Sequence, residues 1–84
     1  MYDCLITFRS VTPAQRGESV LRRAGMFCAL SRTPKWMQEQ GCGYSLRVRR
    51  DQVFECVQKL REEKVTFRKV YLLRQGGGVE ELEL

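Results

Sequence analysis

Apolar and polar positions change their period along this chain, and each change marks an element. Tyr2–Arg9 (YDCLITFR) alternates loosely and is rich in β-formers, which predicts a strand with Cys4, Ile6 and Phe8 on one side. The spacing then lengthens, and Ala14, Gly17, Val20, Leu21 and Ala24 recur along one helical face. Thr12-Pro13-Ala14-Gln15 reads as the capping box of that helix, with Thr12 at the N-cap, and Gly25 suits its stop. Met26–Ser31 (MFCALS) is a short apolar strand, and residues 32–43 (RTPKWMQEQGCG) read as a loop broken by Pro34 and two glycines. Tyr44–Arg49 alternates cleanly, with Tyr44, Leu46 and Val48 opposite Ser45, Arg47 and Arg49. Asp51 can cap a second helix over Gln52–Glu63, lined inside by Val53, Cys56, Val57 and Leu60. Val65–Arg74 is the last strand, followed by Gly76-Gly77-Gly78 and the acidic VEELEL.

The order β-α-β-β-α-β predicts an α+β, ferredoxin-like sandwich, a four-stranded antiparallel sheet with both helices on one face. Residues 1–75 are expected to form this single domain, and 76–84 a glycine-rich linker with a flexible acidic tail. Such a fold hosts many unrelated activities, so function has to be read from a site.

Composition narrows the class without naming it. The chain has 84 residues, 43% apolar and 30% charged, which reads as one small globular domain. No apolar run approaches the ~20 residues that span a bilayer. The opening MYDCLITFRS has Asp3 early and no basic stretch before an apolar block, so a cytoplasmic location is expected. Fifteen Lys and Arg against ten Asp and Glu leave +5, a balance that favours anionic partners or serves solubility alone.

The chemistry concentrates on cysteine. Four stand at positions 4, 28, 42 and 56, with no Cys-x-x-Cys pair and no histidine in the chain, which argues against a metal site and leaves no cofactor to expect. Cys4, Cys28 and Cys56 fall on predicted inner faces and read as small buried hydrophobes. Cys42 differs, because Gly41-Cys42-Gly43 either makes a plain tight turn into the third strand or bends so that successive N–H groups turn toward one point. Arg32, Lys35, Arg47, Arg49 and Arg50 flank it, opposed by Glu39 and Asp51. An ordinary thiol titrates near 8.5, and lowering that by one to two units takes only ~1.4–2.8 kcal/mol of differential stabilisation. A persulfide or perselenide anion would gain in the same way. Without a histidine base the pattern is not that of a hydrolase, and suits sulfur or selenium transfer by a carrier rather than an enzyme.

Three stretches resemble a known small family, the Se/S carrier-like proteins, short bacterial domains. YDCLITFRSVTPAQRGESVLRRAG is similar to its first strand, turn and helix. ALSRTPKWMQEQGCGYSLRV is similar to its Thr-Pro element followed by Gly-Cys-Gly-hydrophobic-Ser-Leu-Arg. The Gln52–Glu63 helix and the strand ending VYLL complete a likeness over about residues 2–74. The resemblance implies that Cys42 carries the sulfur or selenium. Gly41, Gly43, Ser45 and Arg47 would shape its pocket, with Thr33 and Pro34 on the opposing loop. It implies a cysteine desulfurase or other chalcogen donor as one partner and an acceptor protein as another. The sulfur carriers of tRNA thiolation, to which the family name refers, place a Cys-Pro-x-Pro motif at the start of the first helix. Here Thr12-Pro13-Ala14 has no cysteine, so Cys42 would serve from a different loop.

The alternative is a basic interaction or nucleic-acid-binding module with no thiol chemistry. Leu5, Thr7, Arg9, Ser45, Arg47 and Arg49 are the expected open-face positions, and none is aromatic, so the stacking platform of RNA-binding sheets is missing and nucleic acid is disfavoured. An open face mixing Leu5 and Phe27 with arginines also suits a protein interface, including a homodimer.

Overall fold

A computed structural model of the chain describes residues 4–33, 43–74 and 76–83. It is an α+β fold with strands β1 (Cys4–Phe8), β2 (Cys28–Arg32), β3 (Tyr44–Val48), β4 (Val70–Leu73) and β5 (Val79–Leu82) and helices α1 (Val11–Arg23) and α2 (Val53–Glu62). The strands form one antiparallel sheet in the order β2-β3-β1-β4-β5. Both helices cover the same face. Ala14, Val20 and Leu21 from α1 join Val53, Cys56, Val57 and Leu60 from α2 in a single core, whose sheet side is Cys4, Ile6, Phe8, Cys28, Leu46, Val48 and Val70. Among the described residues no helix is long and apolar enough to cross a membrane.

Alternation in the sequence carried these faces correctly, but several boundaries differ. Helix α1 begins at Val11 after Ser10, so Pro13 is its third residue and not its first. Proline is tolerated there because the first-turn N–H groups lack helical acceptors in any case. Its other end closes as expected at Gly25, φ +78°, where Gly25 N–H donates to Arg22 O and Met26 N–H to Leu21 O. That wrap draws Met26 onto the core, so β2 starts two residues later than its apolar run. Helix α2 ends in the same wrap, with Lys64 at φ +58° where glycine is usual. Asp51 does not cap α2, because its carboxylate is held by Arg49 at 3.2 and 3.1 Å.

The sheet has five strands, not the expected four. Gly76 and Gly77, at φ +90° and +95°, reverse the chain, with Arg74 N–H donating to Gly78 O and Gly77 N–H to Arg74 O. Val79–Leu82 then runs back along β4, pairing Leu82 with Val70 and Val79 with Leu73. Ion pairs Lys69–Glu81, at 3.4 Å, and Arg74–Glu80 draw the acidic residues onto this edge, and Leu82 packs against the core. The three glycines, expected to open a flexible tail, instead turn the chain so that it pairs with the strand immediately before them.

Helix α1 lies close to the sheet at Gly17, where a Cβ would meet Leu46 Cδ1 at 3.1 Å, Phe8 Cζ at 3.2 Å and Leu60 Cδ2 at 3.3 Å. Gly17→Val has to push these buried side chains apart, and we expect it to lower the unfolding free energy by about 1–3 kcal/mol. A urea titration of the variant measures this, and a midpoint equal to that of the wild type would contradict the packing described.

Candidate functional site

The β2–β3 ladder does not stop at its last strand pair, Arg32 opposite Tyr44. It continues one step into the loop stem, where Thr33 N–H donates to Gly43 O at 3.0 Å. The missing side chain of Gly43 gives this approach room. A Cβ on it would stand 3.3 Å from Thr33 Oγ1 and 3.5 Å from the Phe8 carbonyl oxygen. The chain on both sides of the intervening loop is thereby pinned to the sheet at the end of β1 from which α1 departs. Thr33, 4% exposed, is itself buried at this point.

Ser45 stands two residues further on in β3, on the sheet face opposite the helices. Its cross-strand neighbours are Thr7 on β1 and Ser31 on β2, which makes a row of three hydroxyl side chains. Thr7 Oγ1 is occupied, donating to Lys69 O at 3.2 Å and accepting from Lys69 N–H at 3.1 Å. Ser45 is fully buried, and its Oγ finds no hydrogen-bond partner among the described residues. A buried hydroxyl left unbonded costs about 1–3 kcal/mol, and this one keeps both its donor and its acceptor capacity. Arg47 shares the face and is exposed, but four residues of strand set its Cα roughly 13 Å from that of Gly43.

The structure thus brings Thr33, Gly43 and Ser45 together at the loop stem and sets Arg47 further along the same face. Cys42, Gly41 and Pro34 lie outside the described residues. Positive charge does reach the stem, through Arg32, whose guanidinium carbon lies 5.9 Å from the centre of the Tyr44 ring. The charge of Arg49 is matched by Asp51 at 3.1 Å.

The other three cysteines are buried thiols. Burial pushes the Cys28 thiol up from its ordinary value, although the Arg22 guanidinium opposes the shift, and its Sγ donates to Glu18 O at 3.8 Å. Cys56 is pushed up to about 12, first by burial and then by Cys28, Glu55 and Cys4 nearby, and its Sγ lies 3.5 Å from Met26 Sδ. Both stay protonated at neutral pH and are poor nucleophiles, as a thiol needs its anion to react. Among the described residues no group of three or more His, Cys, Asp or Glu is arranged to hold a metal ion.

The family model described as "Putative Se/S carrier protein-like" matches residues 3–72. The chain belongs to this family. The matched span runs from β1 into β4 and includes the whole loop stem, whereas β5 lies beyond it. No curated protein and no solved structure matches the chain.

Two features of this Se/S carrier-like protein were not among the expected site residues: the Arg32–Tyr44 stack and the hydroxyl row through Ser31 and Thr7. Alternation places each side chain on its face, but which residues meet across strands depends on the register, which no local window of sequence displays.

Cys56 also sets a pH dependence. Its pKa is near 9.0 without the fold and about 12 within it, so between those values the unfolded chain gives up a proton that the folded chain keeps. Its contribution is intact below pH 9 and is lost as pH rises through that window, by up to about 1.4 kcal/mol per pH unit. Urea midpoints taken from pH 7 to 10 under reducing conditions should therefore fall more steeply for wild type than for Cys56→Ala. Parallel falls would show that this thiol is not held neutral.

Proposed function

We propose that this protein carries a chalcogen atom on Cys42, as a persulfide or perselenide, and delivers it to a partner enzyme. The observation that carries the reading is the burial of three of its four thiols. Cys4, Cys28 and Cys56 are sealed in the core, while Cys42 is bonded directly to Gly43, whose carbonyl anchors the loop stem. Membership of a family named for Se/S carriage supports the same assignment.

The chemistry needs no outside oxidant. The Cys42 thiolate attacks the outer sulfur of a donor persulfide, R–S–SH, forming a Cys42–S–SH persulfide and releasing R–S⁻. An acceptor thiolate then attacks that outer sulfur, and Cys42 leaves as thiolate. Each step is a thiol–disulfide type exchange whose rate follows the thiolate fraction of the attacker and the stability of the leaving thiolate. Ser45 Oγ, with no partner of its own among the described residues, and Arg32 at the stem are the groups available to stabilise an anionic sulfur, with Arg47 further along the face. The partners in this reading are a cysteine desulfurase or other chalcogen donor and an acceptor protein, in a cytoplasmic setting. The strand order over β1–β4 supports a ferredoxin-like scaffold extended by β5.

A base-stacking role has less support, because the β1 and β3 residues on the face opposite the helices are Leu5, Thr7, Ser45 and Arg47.

Incubation with a cysteine desulfurase and cysteine, with intact mass measurement afterwards, should show the added mass of sulfur on wild type and on Cys28→Ser. Cys42→Ser should show none. Equal loading of Cys42→Ser would overturn the carrier reading.

A further inference from the structure

Strand β2 stands at one end of the sheet, and among the described residues no strand pairs with its outer edge. Thr33 N–H points inward, toward Gly43 on the β3 side. Peptide groups alternate sides along a strand, so Ala29 and Ser31 also turn theirs toward β3. Cys28, Leu30 and Arg32 must then turn their N–H and C=O groups outward. The next strand boundary agrees with this parity: Thr7, opposite Ser45, directs its N–H away from β3 to Lys69 O at 2.8 Å.

Exposed edges are usually guarded by charge, proline or a bulge. The opposite edge, β5, is guarded: Glu80, Glu81 and the neighbouring Glu83 crowd it, and any near-full antiparallel overlap of two copies there sets glutamate against glutamate. The β2 edge is not. Cys28-Ala29-Leu30-Ser31 carries no charge, Arg32 closes it, and Phe27 just before it is 60% exposed.

We propose that β2 is a homodimer edge, at which two copies pair their β2 strands antiparallel about a twofold axis through Leu30. Only Cys28, Leu30 and Arg32 offer outward groups, so full overlap of the five-residue strand fixes the register. Leu30 faces Leu30 of the partner subunit, Cys28 faces Arg32 of the partner subunit, and Ala29 faces Ser31 of the partner subunit. No like charges oppose one another in this register, and the outward main-chain groups gain acceptors and donors. The five strands of each copy join into one sheet. Phe27 comes opposite Thr33 of the partner subunit, so each copy sets an aromatic residue beside the other's Thr33–Gly43 stem. This assembly does not depend on what Cys42 carries, and its failure would leave the carrier reading untouched.

Sedimentation equilibrium of the full chain over a wide concentration range tests it. Wild type should fit a monomer–dimer equilibrium, and Phe27→Lys should weaken association at least tenfold. Two double variants, Ala29→Lys with Ser31→Lys and Ala29→Glu with Ser31→Glu, should each be monomeric while keeping wild-type circular dichroism. Mixed together they should form a heterodimer, because this register sets each lysine against a glutamate. A monomeric wild type, an open series of oligomers, a dimer indifferent to these substitutions, or a mixture that stays monomeric would each overturn the proposal.

Discussion

The fold depends on the burial of β1 on both of its faces. All five of its residues are buried. Cys4, Ile6 and Phe8 meet the helices, while Leu5 and Thr7 turn the other way and are 1% and 8% exposed. A central strand closed on both sides cannot slip, since a one-residue shift would exchange its two faces. Its register with β3 sets Phe8 opposite Tyr44, and that pairing carries Gly43 to the Phe8 carbonyl and to Thr33. The geometry of the loop stem is thus inherited from the middle of the sheet.

Alternation and helical periodicity made much of this legible. The inner faces of β1, β3 and α2 were readable residue by residue, because each has enough consecutive positions for a period to show. Where the reading missed, interactions not visible in a local window decided the outcome. Asp51 resembles a cap until Arg49 claims its carboxylate. Three glycines resemble a linker unless a strand lies ready to pair with the residues beyond them, and Leu82 has an apolar place to go on β4 that sequence spacing does not display. The candidate site divides the same way. Gly43, Thr33 and Ser45 stand in the motif as candidates, and their convergence rests on a hydrogen bond between residues ten apart in the chain.

The thiols illustrate how one residue type takes opposite roles under one set of forces. Burial raises the cost of a thiolate and makes Cys28 and Cys56 inert fillers in contact with the packing of α1 and Met26. A cysteine that is to act as a carrier needs the reverse environment: donors, positive charge and access. In this small domain the helix-covered core supplies the first environment to Cys4, Cys28 and Cys56.

The folding-back of β5 has an electrical consequence for the whole molecule. It places Glu80, Glu81 and Glu83 at the sheet edge farthest from β2, where Lys69 and Arg74 offset two of them. Among the described residues Arg23 and Arg32 stand toward the other end, where Arg22 is paired with Glu18 at 3.2 Å. An anionic partner therefore meets more uncompensated arginine away from the β5 edge than along it.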